Sequence, residues 1–250
     1  MDPHLTVEKL NDDATCSLCG KPRTGLIVCG ILLHLPCPDC SREKPELVHE
    51  HETDVALVRA EHDRWLIDTP QGQHRLGIPP QYHGASLDDF NPHVGNMLMA
   101  FLVDSVGGLL TISGPCGIGK TRLLYACARN LQANGLAWRK LSVPQLVIHL
   151  QALSGDSMSN AELEIQELQD FQGLLMLDDL GAEKTTDFVV QSLYVILASR
   201  EEWRRSTIIT TNLELDGIAK RFSNRIASRL AGGRQLVLSG RDRRLAKEKI

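Results

Sequence analysis

Two groups of residues in this 250-residue chain could do chemistry. The first is GPCGIGKT, where Gly114, Pro115, Cys116, Gly117, Ile118, Gly119, Lys120 and Thr121 match G-x-x-x-x-G-K-[ST]. Its glycines allow backbone conformations that turn several N–H groups toward one point. A helix beginning near Lys120 adds its positive end, so that point suits a β-phosphate. Lys120 would reach the β- and γ-phosphates, and the Thr121 hydroxyl would take a Mg²⁺ position. Such a loop needs an acid at the end of a neighbouring strand, and LLMLDDLGAE, residues 174–183, supplies one. Asp178 is the candidate for Mg²⁺ through water and Asp179 for polarising an attacking water, with Glu183 as competitor for the second role. Adjacent side chains on a strand point to opposite faces, which suits two roles. Asn212, at the tip of STIITTN, offers an amide to a γ-phosphate and a lytic water.

The second group is cysteine. Five of the seven cysteines lie within residues 16–40, and Cys16-x2-Cys19 is separated from Cys37-x2-Cys40 by seventeen residues. That spacing fits a zinc ribbon whose closed tetrahedral site is structural. Zinc binding at ~10–16 kcal/mol can fold a module too small for its own core. Cys29 and His34 compete as ligands, giving Cys16, Cys19, Cys29 and His34 as the alternative set. Cys116 and Cys127 read as small loop or buried residues. Residues 1–50 carry five Lys/Arg against eight Asp/Glu, which weighs against a nucleic-acid reader there. The GLIV and GILL segments instead offer an apolar surface to a partner.

The elements that must position these groups follow from patterning. LLTIS (109–113), LAWRKLS (136–142), LLMLDDL (174–180), STIITTN (206–212) and QLVLS (235–239) read as strands separated by amphipathic helices. One helix, TRLLYACARNLQANG, ends at Gly135. The alternation predicts an α/β fold with a parallel sheet covered on both faces. Residues 143–172 predict two helices around a GDSMSN turn, the second of them acidic. Residues 220–233 predict one helix with Arg225 and Arg229 on one face. With 42% hydrophobic and 23% charged residues the chain is ordinary globular material. No apolar run approaches the ~20 residues a membrane span needs. The acidic start MDPHLTVEKLNDD does not read as a signal peptide, so the expected setting is the cytoplasm, without a membrane. Residues 203–250 carry twelve Lys/Arg against four Asp/Glu, a basic surface suited to phosphates.

GIPPQYHGASLDDF, GPCGIGKT, LLMLDDLGAEKTTDF, STIITTN, RIASRL and SGRDRR, in this order, resemble the DnaC/DnaI-type replicative helicase loaders and the related IstB transposition ATPases, all AAA+ proteins. The resemblance covers residues 77–250. It implies a five-stranded parallel sheet, an ATPase that uses ATP with Mg²⁺, and self-assembly into an ATP-dependent oligomer. It makes Lys120 and Thr121 the Walker A residues, Asp178 and Asp179 the Walker B pair, and Asn212 sensor 1. Arg229 becomes the trans-acting arginine finger, with Arg225 as alternative, and Arg244 becomes sensor 2, with Arg243 as alternative. Residues 143–172 resemble an inserted helical element associated with single-stranded DNA, ordinary connecting helices being the alternative. Many relatives have Glu where this chain has Asp179, which bears on hydrolysis rather than binding. The sequence ends six residues after Arg244, so neither a full helical lid nor a C-terminal DNA-reading domain is expected.

The domain expectation is a zinc-binding docking module at 1–45, a linker with helix at 46–76, and an AAA+ ATPase domain at 77–250. The implied function is a loader that binds a DnaB-type replicative helicase and helps deposit it on single-stranded DNA at replication initiation. The zinc module favours this over an IstB-like transposition ATPase acting on duplex DNA. A weakly hydrolysing ATP-switch adaptor is the third reading.

Overall fold

The computed structural model describes residues 25–28, 31–34, 60, 62–103, 107–156, 158–183 and 185–243. The chain divides into two units, Met1–Gly77 and Ile78–Ile250. In the first, β1 (Gly25–Val28) and β2 (Ile31–His34) pair antiparallel, Val28 opposite Ile31. Residues 62–68 are helical, and α1 (Pro70–Arg75) follows, its N-terminus capped by the Thr69 hydroxyl. Cys16, Cys19, Cys29, Cys37 and Cys40 lie outside the described residues.

The second unit is built on a five-stranded sheet of β3 (Leu109–Ser113), β4 (Trp138–Ser142), β5 (Leu174–Leu180), β6 (Thr207–Thr211) and β7 (Arg234–Val237). The order is β4-β5-β6-β3-β7, and every neighbouring pair is parallel. Alternation along each strand feeds two separate cores. Leu175, Leu177 and Ile209 join the core on one face, while Leu174, Met176, Leu110, Ile112 and Ile208 join the core on the other. A sheet buried on both faces needs continuous apolar strands, which explains runs such as LLML.

The helices are α2 (Pro92–Val103), α3 (Lys120–Ala133), α4 (Val143–Asp156), α5 (Met158–Asp170), α6 (Asp187–Glu202), α7 (Leu215–Arg221) and α8 (Asn224–Gly232). Leu123, Leu124 and Cys127 of α3 pack with α2 on one face. Val143, Leu146, Leu168, Leu193, Ile196, Ile226 and Leu230 bring α4, α5, α6 and α8 onto the other.

Two expectations need correction. The single helix at 220–233 is two, because Phe222 is buried and the Ser223 hydroxyl accepts from the Ile226 N–H, starting α8 afresh. The two helices between β4 and β5 meet more tightly than the GDSMSN turn suggested, since α4 runs to Asp156 and α5 starts at Met158. No described helix is long and apolar enough to cross a membrane.

Candidate functional site

The loop joining β3 to α3 sits at the C-terminal ends of the strands, where open parallel sheets bind ligands. Its tight course needs glycine at two points. A Cβ on Gly114 (φ 152°) would fall 2.4 Å from the Leu238 carbonyl oxygen, and one on Gly117 (φ 72°) would collide with the Asp242 carboxylate at 1.8 Å. The helix then begins at Lys120, with Gly119 left-handed at its cap.

Lys120 is 5% exposed. Its ammonium donates to the carbonyl oxygens of Gly114 and Pro115 at 2.8 and 2.9 Å and to Oδ1 of Asn212. Three expected site groups, the loop, Lys120 and Asn212, are therefore in direct contact. Pro115, Cys116 and Ile118 lie in the same loop, Cys116 exposed and Ile118 buried in the core. Cys127 is packed inside α3, where burial pushes its thiol up to about 12.

Asp178, 2% exposed, is held on both carboxylate oxygens. Oδ1 accepts from the Thr210 hydroxyl at 2.6 Å and from the Thr121 hydroxyl at 3.4 Å. Oδ2 pairs with the Lys140 ammonium at 2.9 Å. Lys140 comes from the edge strand β4, opposite Met176, and its ammonium lies 4.8 Å over the Tyr125 ring. Tyr125 in turn stacks on Tyr82 with centroids 4.8 Å apart. Burial opposes the charged form of Lys140, but the Asp178 carboxylate and the Tyr125 hydroxyl outweigh it and hold the ammonium above its ordinary pKa.

Asp179 departs from the strict alternation expected of a strand. It has φ 60°, and the register shifts so that Asp178 and Asp179 fill the place between the pairs Leu177–Ile209 and Leu180–Thr211. This is a β-bulge, which re-aims side chains beside active sites. The Asp179 N–H donates to the Thr210 hydroxyl at 2.9 Å, so one threonine orients both acids. Glu183 is buried 4% exposed, and its carboxylate accepts from the Gly181 N–H at 3.1 Å, turning the chain back after the strand. Burial raises its pKa above the usual glutamate value against the opposing pull of that N–H and of Arg221.

The segment after β7 returns to the loop. The Arg243 N–H donates to the Gly117 carbonyl at 3.0 Å, and its guanidinium lies 4.8 Å from the Phe90 ring. Arg122 of α3 pairs with Asp89 at 2.8 Å. Arg243, the alternative sensor, is thus beside the loop; Arg244 lies outside the described residues. Arg229 instead belongs to another surface. It is hydrogen-bonded to Glu201 and, at 3.3 Å, to the Tyr194 hydroxyl, with Arg225 6.0 Å from the same ring. These residues, with Asn224 and Ser228, line an open cleft of about 490 Å³.

Lys140, Thr210 and Tyr125 escaped the sequence reading. The available signals were a lysine two residues before the end of a strand and the threonine pair ahead of Asn212. Among the described residues no group of three His, Cys, Asp or Glu stands together for a metal ion. The phosphate loop with Lys120, and the Thr121–Asp178 pair, fit a nucleotide with Mg²⁺: a buried cation, a helix N-terminus and an oxygen-only donor set.

The replicative helicase loader DnaI of Bacillus subtilis (strain 168) is 27% identical over 132 residues, 52% of this chain and 42% of the loader. The chain therefore matches under half of that relative's length. Among solved structures, the DnaC helicase loader aligns with TM-score 0.56 at 24% identity over 64% of this chain and 100% of that one. DnaI aligns with TM-score 0.55 at 23% identity over 66% and 93%. The replication initiator DnaA bound to AMPPCP and single-stranded DNA aligns with TM-score 0.57 at 18% identity over 65% and 51%. At these identities the likeness is one of fold. The profile of the IstB-like ATP binding proteins matches residues 100–229, just over half of the sequence. The chain belongs to that ATP-binding family.

Proposed function

We propose that this protein is an ATP-dependent helicase loader, which binds a DnaB-type replicative helicase and helps place it on single-stranded DNA. The observation that carries the ATP part is the convergence of Lys120, Asn212, Thr121 and Asp178 from β3–α3, β6 and β5. The partner rests on the similarity to DnaI.

In this reading Lys120 leaves the Gly114 and Pro115 carbonyls for the β- and γ-phosphates, and Asn212, released from Lys120, turns to the γ-phosphate and the attacking water. Asp179, aimed by the bulge, polarises that water. Mg²⁺ held through Thr121 and Asp178 would neutralise charge on the transferring phosphoryl group. Arg229, held on a cleft by Glu201 and Tyr194, completes the site of the neighbouring subunit, and Arg244 acts as second sensor. Hydrolysis then depends on self-assembly. Residues 1–45 form the helicase-docking module, stapled by zinc on Cys16, Cys19, Cys37 and Cys40; the paired strands Gly25–Val28 and Ile31–His34 lie between the two cysteine pairs. Residues 77–250 are the ATPase domain, and the setting is the cytoplasm.

The matching IstB-like profile favours a second reading, a transposition ATPase on duplex DNA. Pull-down of a DnaB-type helicase by the tagged full chain separates them. Retention with ATP, lost in Lys120→Ala, is expected. No retention, with ATP-dependent coating of duplex DNA, would replace the loader by the transposition protein.

A further inference from the structure

Asp178, read above as the acid through which Mg²⁺ is held, already has a cation. The Lys140 ammonium stands 2.9 Å from Oδ2, and the two side chains are 12% and 3% exposed. Neither oxygen of the carboxylate faces the loop undressed, since Oδ1 takes the Thr210 and Thr121 hydroxyls. The lysine is also fixed from behind. Its ammonium lies over Tyr125, one turn along α3 from Thr121, and Tyr125 is stacked on Tyr82. The register of β4 against β5, with Ser142 opposite Asp178 and Lys140 opposite Met176, makes the lysine stem run along the sheet to the strand end.

A carboxylate beside a triphosphate repels it unless a cation intervenes. In most settings of this kind the divalent ion is that cation. Here a covalently attached ammonium of the same sign sits against the carboxylate at contact distance in a poorly solvated place, where one charge matters most.

We infer that Lys140 is a positioning residue and built-in counter-ion of Asp178, which lets the phosphate loop hold ATP with little help from Mg²⁺. The inference rests on the ATP reading above and adds how the site treats the divalent ion. Lys140 cancels the charge that would otherwise repel free ATP, and the same cancellation weakens the pull of Asp178 on Mg²⁺. Nucleotide binding and divalent-ion binding are thereby separated into two events, with ATP retained before the ion is in place.

The test is the ratio of ATP dissociation constants in EDTA and in saturating Mg²⁺, measured by titration calorimetry on the full chain. Wild type is expected to show a ratio below about ten, and Lys140→Met a ratio at least about tenfold larger, the order expected of one contact charge in a partly desolvated site. Lys140→Arg should stay near wild type. A loss of packing alone would weaken both constants equally and leave the ratio unmoved, which would overturn the inference. If Lys140→Met does not fold, Lys140→Gln, which keeps a hydrogen-bond donor toward Asp178 without the charge, takes its place. The same rise of about tenfold in the ratio is expected, and an unchanged ratio would again overturn the inference. Wild type that binds no ATP in either condition would instead overturn the ATP reading itself.

Discussion

The two ends of the sheet each bury cations and use them differently. At the N-terminal ends of β5 and β6, Arg200 is 0% exposed and spends its guanidinium on the chain itself. It donates to the Thr207 hydroxyl and to the carbonyls of Leu168, Phe171, Gly173 and Ser206, all at 2.7–3.0 Å. Burial, with Arg205 nearby, pulls its pKa down to about 10, still charged at neutral pH. At the C-terminal ends, Lys120 and Lys140 rest on groups that chemistry can reassign: two loop carbonyls, an amide and an acid. A planar fork with five donors suits a permanent junction of α5, α6 and two strand starts, whereas an ammonium on a flexible stem can change partners. The difference teaches that burial of charge marks a site only where the partners are exchangeable.

The largest effect that would sharpen this contrast concerns a fourth cation, Arg229, held by Glu201 and Tyr194 outside the loop. Arg229→Ala is expected to keep ATP affinity and lose about 10³-fold or more in hydrolysis, as trans-acting arginines do elsewhere. Mixing it with Lys120→Ala subunits should restore part of the rate, and no recovery in the mixture would return Arg229 to a local structural role. Next comes Arg200→Met, which takes a donor from four carbonyls and a hydroxyl, the Ser206 carbonyl keeping the Leu175 N–H at 3.2 Å. It should cost about 3–5 kcal/mol, roughly 10 °C in melting temperature for a domain of this size. A thermal melt unchanged within a degree or two would break the contrast from the structural side.

Smaller again is Thr210→Val, which removes the hydroxyl shared by Asp178 and Asp179. About 1–3 kcal/mol of stability should go, with a matching loss of Mg²⁺-dependent hydrolysis, followed by denaturant melts and phosphate release. The smallest is Glu183→Gln. Burial raises the Glu183 pKa, so its contribution is fully present below the unfolded value of 4.5 and is lost as pH rises through the higher folded value. The glutamine variant should match wild type in acid and become the more stable one toward neutral pH; a difference independent of pH would refute this.

Chemistry that is contiguous in sequence was legible. GPCGIGKT fixes its own geometry through glycines, and LLTIS and LLMLDDL occupy the strands read for them, because a sheet buried on both faces demands unbroken apolar runs. What could not be read depends on register and on single long side chains. Lys140 meets Asp178 only because β4 pairs with β5 in one particular alignment, and nothing in WRKLS announces it. Arg200 sits in the polar stretch SREEWRR, where burial leaves no periodic trace. The bulge at Asp179 and the break at Ser223 arise from hydrogen bonds to one threonine and one serine hydroxyl, local competitions that hydrophobic pattern does not record.

The most direct test of the central claim is the melting temperature with and without ATP and Mg²⁺, measured side by side for wild type, Lys120→Met and Arg200→Met. Expected is an ATP-induced rise of several degrees in wild type and in Arg200→Met, the latter from a much lower baseline, and no rise in Lys120→Met. An ATP-induced rise that survives in Lys120→Met would contradict the claim that this buried ammonium is held ready for phosphate.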